Sequence, residues 1–489
     1  MMSPAFPAHL PYTVHYQPQL HPGRQALALA LAGRQSPDFA RSFTHLELGC
    51  GFGLSALIHA AAHPKARFFA VDALPAHVGW AQGMAEAAAL TNLTVIGAPF
   101  GALHDQDLPA CDTIALHGVW SWVSDADRAH ALRLIDQLLK PGGVLYLSYN
   151  ALPGLAALLP LREMMRLGFD RATGDAPARI AAALTLVDVL DGAEARYLRD
   201  NPAAAALARS LARQHANYAA HEYFAADWRC FYHREVAAAL APLGLSFAAS
   251  TDLADALPET LHTAAGRAVL AAETDPTARE TLADVLLNRD FRADLFIRAP
   301  AAAPDAPRDF ADRIGPIALT LGAHELDHIV LRTPAGPRAP DAVTRAVMAA
   351  LVGAPADVTR LRAKPELCAE APETLARALV WLMAAGAADP ALPVADDGDR
   401  RARCARLNAA LWAQAPISAD VGVAASPLTG AAISATQEEQ IFLLARLRNL
   451  DPVDFASGFA PDTARADIAA DHGRFVRDRL PVLERHGVA

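Results

Sequence analysis

The segment Glu47-Leu-Gly-Cys-Gly-Phe-Gly53 places three glycines at alternate positions behind a carboxylate, directly after the apolar run "THLELGC" (44–50). Glycine lets a backbone approach a ligand without a β-carbon in the way. A helix opening just beyond it, near Leu54, offers unpaired N–H groups and a partial positive charge. Dinucleotides, phosphates and sulfonium cofactors all suit such a turn, and a tight strand-to-helix turn without a ligand is the plain alternative. Spacing separates them. A dinucleotide fingerprint puts its third glycine three residues after the second, whereas Gly49, Gly51 and Gly53 run G-x-G-x-G and Leu54 stands in that place. No Lys-Ser/Thr pair follows, which excludes a P-loop. Asp72 closes the next apolar run, "ARFFAVDA" (66–73), where a carboxylate can grip both hydroxyls of a ribose. That carboxylate serves NAD equally well, so the glycine spacing and Glu47 discriminate.

E-x-G-x-G-x-G after a first strand, with an acidic residue ending the second, resembles the class I S-adenosylmethionine-dependent methyltransferases. The resemblance implies that Glu47 orders the loop and helps hold the methionine part of the cofactor, with Gly49, Cys50, Gly51 and Gly53 around it. Asp72 and Ala73 would meet the ribose, Ala98, Pro99 and Phe100 the adenine, and His117 and Gly118 the ligand at the fourth strand. The stretch "GAPFGAL" (97–103) departs from the family by lacking the acidic residue many members use against the adenine amino group. Further segments are more specific: "IALHGVWSWVSDADR" (114–128), "LKPGGVLYLSYNALPGL" (139–155), "NYAAHEYFAADWRCFYHREV" (217–236) and "NRDFRADLFIRA" (288–299). They resemble bacterial methyltransferases carrying a methyltransferase regulatory domain, and "VAASPLTGAAISATQEEQ" (423–440) resembles the tail of that family. Leu155 stands where the family often has an aromatic residue. Some relatives of this architecture are protein-lysine methyltransferases, which implies a protein amine as the substrate class.

Methyl transfer from a sulfonium is an in-line displacement, for which an enzyme mainly supplies proximity and alignment, up to roughly 7–11 kcal/mol. No acid–base triad is required. An amine acceptor must first lose a proton, which a desolvated pocket promotes by penalising the charged form. Open α/β sheets bind substrates at the carboxyl ends of their strands. There stand His117, Trp120 and Trp122 after strand four, and Tyr149 and Asn150 after strand five. Aromatic faces attract a cation by about 0.5–2 kcal/mol, and the Tyr149 hydroxyl and Asn150 amide can accept an amine's hydrogen bonds. His117, Trp120, Tyr149 and Asn150 are therefore the expected catalytic group. Trp122 reads either as substrate wall or as core. Tyr12, His15 and Tyr16 resemble an N-terminal lid, with a surface-packed tail as the alternative. "HEYF" opens like a zinc-protease helix, but Ala225 occupies the second histidine's place. The family resemblance implies a position for His221 and Glu222 at the site mouth, against an interhelical hydrogen bond. His215 and His233 do not share a helix face with His221, and no metal is expected.

The elements that must hold these residues alternate. Strands read at 44–50, 66–73, 92–98, 111–118 and 142–150, with helices starting near Leu54, Pro75 and Ser124, the last stopped by the glycines of "KPGG" (140–143). That rhythm predicts a Rossmann-like α/β fold with a parallel sheet. Residues 1–43 read as a lid segment and 44–154 as the cofactor-binding core. A helical insertion at 155–240 precedes the last strands at 241–300, and 301–489 form a helical, winged-helix-like C-terminal domain. The alternative ends the sheet near 150, but a strand at 294 would then lack a partner. "APAAAPDAPRD" (299–309) reads as a linker. Thr436, three before Glu439, signals a capping box.

The 489 residues are 53% hydrophobic, much of it alanine, and 20% charged, with net charge −10. Alanine favours helix, and the absence of a basic stripe argues against an electrostatically bound nucleic-acid partner. Five scattered cysteines without a C-x-x-C pair fit a reducing compartment. The start lacks a signal-peptide pattern and no uncharged run reaches a membrane span, so a cytoplasmic enzyme is expected. It would methylate a protein amine, with a small-molecule acceptor or a cofactor-binding regulatory protein as rivals. The inserted helices are an expected surface for a homodimer.

Overall fold

Every residue of β1 (Thr44–Leu48) is buried, as befits a parallel strand covered on both faces. It pairs in parallel with β2 (Arg67–Asp72) and β4 (Cys111–Leu116), which carry β3 (Leu93–Gly97) and β5 (Leu139–Asn150) on their outer sides. β6 (Leu245–Ser250) and β7 (Phe291–Arg298) complete one seven-stranded sheet of order β3-β2-β1-β4-β5-β7-β6. β7 runs antiparallel to both its neighbours. The strand at 294 thus finds its partners in β5 and β6. The computed structural model describes residues 12–211, 223–299, 309–393 and 397–489. Most of the expected linker, together with His215, His221 and Glu222, lies outside the described residues.

Helices α1 (Pro22–Leu31), α2 (Leu54–Ala62), α3 (Pro75–Ala87) and α4 (Asp125–Leu138) flank the sheet. Ser124 caps α4, its hydroxyl accepting from the Asp127 N–H. The "KPGG" glycines do not stop that helix. α4 ends at Leu138 and β5 starts at once, with Gly142 at φ +73° where the register against β4 shifts. The glycine therefore serves an irregularity in the pairing, where two steps along β4 face five along β5 and three extra residues must be accommodated.

Side chains of β5 alternate between two cores. Val144 and Tyr146 join Leu27 and Leu29 of α1 and, from the C-terminal region, Ile317, Val347 and Leu379. Leu145, Leu147 and Tyr149 join Leu134 and Ile135 of α4 and Val236 and Leu240 of α9 (His233–Leu240), the eighth helix being α8 (Pro202–Leu211). The inserted helices α5 (Leu159–Arg171), α6 (Ala176–Gly192) and α7 (Arg196–Asp200), with α8, build a separate core around Leu161, Met165, Ile180 and Leu198.

The C-terminal region is mostly helical and packs directly on the sheet domain. Its helix Pro372–Ala384 runs into the strand Ala388–Pro390, which pairs antiparallel with Ile317–Leu319. Arg24 of α1 forms an ion pair with Asp389, and His21 Nε2 lies 2.9 Å from the Thr429 carbonyl oxygen. Helix Asp397–Trp412 sets Leu407 and Leu411 against α2. The capping box forms as expected, with the Thr436 N–H donating to Glu439 at 2.8 Å. Among the described residues no helix is long and apolar enough to cross a membrane.

Candidate functional site

A cavity of about 470 Å³ opens at the carboxyl ends of β1, β2, β4 and β5, within the usual range for ligand pockets. Its floor is the glycine turn. Gly49, Gly51 and Gly53 adopt φ of +78°, +56° and +67°, the left-handed region that glycine alone enters freely. A β-carbon on Gly49 would lie 2.4 Å from Val119, while one on Gly51 would meet no protein atom within 4 Å and project into the cavity. Gly53 does not line the cavity. It sits at the N-cap of α2, where it has no side chain to cap the N–H groups of the first turn. Ser55, in that turn, lines the cavity.

Two carboxylates face this turn. Glu47 is buried, its Oε2 has no hydrogen-bond partner, and burial followed by the nearby charge of Asp72 pushes its pKa up to about 8. A buried carboxylate left without a donor is costly unless a ligand supplies one. Asp72 is anchored differently. Its Oδ2 accepts from the Gly51 N–H at 2.9 Å, and its Oδ1 accepts from the Leu74 N–H at 2.8 Å and from His77 Nδ1 at 3.1 Å. Among the other expected cofactor residues, Cys50, Ala73, Pro99, Phe100, His117 and Gly118 line the cavity. Ala98 does not; it is buried in the core between β3 and α4, its N–H donating to the Asp72 carbonyl.

The expected catalytic group divides. His117 and Asn150 line the cavity. His117 Nδ1 lies 2.7 Å from the Tyr146 hydroxyl, and burial lowers its pKa to about 4, so the ring is neutral near pH 7. The Asn150 N–H donates to Ser121 Oγ at 2.8 Å and its carbonyl accepts from the Phe231 N–H. No protein group engages its side-chain amide among the described residues.

Tyr149 is a correction. It is fully buried on the opposite face of β5, because successive strand residues point to opposite sides. Its hydroxyl donates to Asp294 Oδ2 at 2.8 Å and lies 3.1 Å from His233 Nδ1. Arg292, also buried, joins Asp294 and Asp284 at 2.7 and 2.6 Å. Burial, the largest single influence, would raise the Asp294 pKa, but the charges of Arg292 and His233 and their hydrogen bonds together outweigh it and hold the carboxyl well below its usual range. Tyr149 therefore belongs to a charge network that fastens β5 to β7 and α9.

Trp120 is a second correction. It is buried against Phe231, with ring centroids 6.3 Å apart, and does not reach the cavity. Trp122, two residues on, is buried and yet lines the cavity, with its indole N–H unpartnered. The N-terminal segment splits in the same way. Tyr12, Thr13, His15 and Gln17 line the cavity, whereas Tyr16 turns into the core with its hydroxyl 3.3 Å from His59 Nε2. His221 lies outside the described residues.

Several wall residues carry no signal in the glycine motif. Phe52 fills the variable position between the last two glycines, Leu74 and His77 follow Asp72, Val123, Ser124 and Asp127 open α4, and Phe291 starts β7 directly opposite Asn150. Counting two and five residues on from Asp72 could have found Leu74 and His77. Phe291 falls in the family-like segment 288–299, but only the pairing of two distant strands brings it to the cavity.

Comparison with known proteins agrees with this geometry. The family model described as a methyltransferase domain matches residues 46–143, and that described as a predicted methyltransferase regulatory domain matches 215–298. The latter supplies β6, β7 and Phe291, so it completes the sheet and reaches the cavity. An uncharacterized protein of Synechocystis, sll1526, is 32% identical over 447 residues, spanning 91% of this chain and 88% of the relative. PKMT2 from Rickettsia typhi has the same fold, with a TM-score of 0.68 at 19% identity, covering 98% of this chain and 99% of that one. Its complex with S-adenosylhomocysteine gives a TM-score of 0.66 at 19% identity over 96% and 92% of the two chains. With a glycine turn, two carboxylates and a sheet of this order, the chain belongs to the S-adenosylmethionine-dependent methyltransferases that carry a methyltransferase regulatory domain.

Proposed function

We propose that this methyltransferase acts on a protein amine, with a lysine side chain as the acceptor. The observation that carries the reading is the composition of the cavity wall. Besides Glu47 and Asp72, which the cofactor would engage, Asp127 lines it and, among the described residues, no lysine or arginine does, while Trp122, Phe291, His117 and Asn150 stand on the side of β4 and β5. Such a wall accepts a positively charged chain end and strips water from it.

Glu47 would hold the cofactor's ammonium, since its buried, unpartnered oxygen lacks only a donor. The uncapped first turn of α2, with Ser55, fits the carboxylate. Asp72 already accepts three hydrogen bonds and keeps one acceptor site, on Oδ2, for a ribose hydroxyl, and Pro99 and Phe100 offer an apolar edge to the base. When bound, the cofactor supplies a methyl group on a positively charged sulfur that leaves readily. The acceptor's lone pair forms the new carbon–nitrogen bond as the carbon–sulfur bond breaks, leaving S-adenosylhomocysteine. Trp122 and Phe291 hold the alkyl stem and disfavour the ammonium form by desolvation. Neutral His117 adds no repulsive charge, and the Asn150 amide oxygen can accept an N–H from the amine and so aim its lone pair.

The fold shared along the whole chain with PKMT2 supports this reading. The test is incubation of the purified protein with methyl-labelled cofactor and cell extract, followed by mass spectrometry of labelled bands. Discrete proteins carrying methylated lysine are expected. Label confined to low-mass material would move the acceptor to a small molecule, and binding without any labelling would leave a regulatory protein.

A further inference from the structure

His77 lies between two parts of the site that the sequence does not connect. Its Nδ1 is 3.1 Å from Asp72 Oδ1, and its Nε2 is 3.0 Å from the backbone nitrogen of Tyr12. The ring is buried and packs on Phe52, with centroids 4.5 Å apart. The partners dictate the tautomer. A carboxylate only accepts and a backbone N–H only donates, so Nδ1 must carry the proton and Nε2 must be bare. Both ring nitrogens are then satisfied by the neutral imidazole alone. The segment that Tyr12 begins crosses the cavity and is fastened again where the Gln17 N–H donates to Ser55 Oγ at 2.9 Å. Tyr12, Thr13, His15 and Gln17 line the same space as Asp72.

We propose that His77 is a positioning residue with two separable tasks: it orients the Asp72 carboxylate for the sugar, and it ties the strap 12–17 across the cavity. The first task rests on the reading of Asp72 as the ribose grip. The strap and the sugar site then share one ring, so that loss of either hydrogen bond loosens a different part of the pocket. Ser55 gives the far end of the strap a similar anchor in the first turn of α2.

Two side chains separate the tasks. In His77→Asn the amide nitrogen can stand where Nδ1 stood and keep the bond to Asp72, but nothing reaches Tyr12. In His77→Gln the longer side chain can put its oxygen where Nε2 stood and accept from Tyr12, while the bond to Asp72 is lost. The assays use the full chain, with calorimetric titration of S-adenosylhomocysteine and hydrogen exchange of the amides in 12–17. For His77→Asn we expect affinity within about twofold of wild type and faster exchange at Tyr12. For His77→Gln we expect an affinity loss of about tenfold, the scale of one hydrogen bond to a charged group, with the Tyr12 amide still protected. Identical behaviour of the two variants in both assays, whether like wild type or like His77→Ala, would overturn the proposal. Asp72→Ala separates the underlying reading. Unchanged affinity there removes the ribose grip itself, whereas lost affinity there beside silent His77 variants removes only the role of His77.

Discussion

The most exacting consequence of this site concerns protons. Glu47 has a pKa near 8 in the ligand-free protein, because burial and then the Asp72 charge disfavour its anion. Pairing with an ammonium requires that anion. At pH 7 only about one molecule in eleven has it ionised, and at pH 6 about one in a hundred, which follows from a tenfold change per pH unit. Affinity for S-adenosylhomocysteine should therefore rise about ninefold from pH 6 to 7 and about fivefold from pH 7 to 8. Calorimetry at pH 7 in two buffers of different ionisation enthalpy should show about 0.9 proton released per ligand bound. Glu47→Gln should bind weakly, with a flat profile and almost no proton release.

Stability should move the opposite way. The folded pKa lies above the unfolded one of 4.5, so this group's favourable contribution is full below about pH 4.5 and is lost as pH rises through 8. At pH 7 the difference of 2.5 units between that pH and the unfolded value costs about 3 kcal/mol. Ligand-free Glu47→Gln, which cannot ionise, should then melt higher than wild type at pH 8. A wild-type protein that binds with no pH dependence and releases no proton would refute the reasoning.

Replacing Asp72 with Ala should abolish measurable cofactor binding in the same titration, since it removes the sugar contact and frees the Gly51 N–H and the His77 ring. Asn150→Ala should lower turnover by about tenfold, on the scale of one hydrogen bond, while the affinity for S-adenosylhomocysteine stays within twofold; an equal loss in both would place Asn150 on the cofactor. Tyr149→Phe removes a buried donor from Asp294 and should destabilise the fold by about 1–3 kcal/mol in a denaturant melt, with kcat nearly unchanged at a temperature where the variant is folded. Gly49→Ala sets a β-carbon against Val119 at a positive φ and should lose both stability and binding.

How much of this was legible before the fold was known differs from element to element. The five parallel strands and the glycine turn read directly, because continuous apolar runs ended by Gly or Asp leave few other structures. Glu47, Gly51 and Asp72 were readable for the same reason: their chemistry and their position at strand ends coincide. Tyr149 and Trp120 were misplaced because motif reading treats consecutive residues as equivalent. On a strand they alternate, so Asn150 faces the cavity while Tyr149 faces away, and the hydroxyl that reaches His117 comes from Tyr146. Tyr16 fails similarly beside Gln17. Phe291 and the Tyr12–His77 bond were invisible because they join positions far apart in the chain, and only the sheet order and the strap's path bring them together. The "KPGG" glycine was assigned to the helix it follows, whereas strand pairing with β4 took it over.

The account's central claim is that one cavity, floored by the glycine turn, seats the methyl donor with its sulfur turned toward β4 and β5. A crystal structure of the protein with S-adenosylhomocysteine measures this directly. The ammonium should lie within hydrogen-bonding distance of Glu47, a ribose hydroxyl on Asp72 Oδ2, and the sulfur toward Asn150, Trp122 and Phe291. A ligand lying elsewhere, or seated here with its sulfur turned away from that wall, would contradict it.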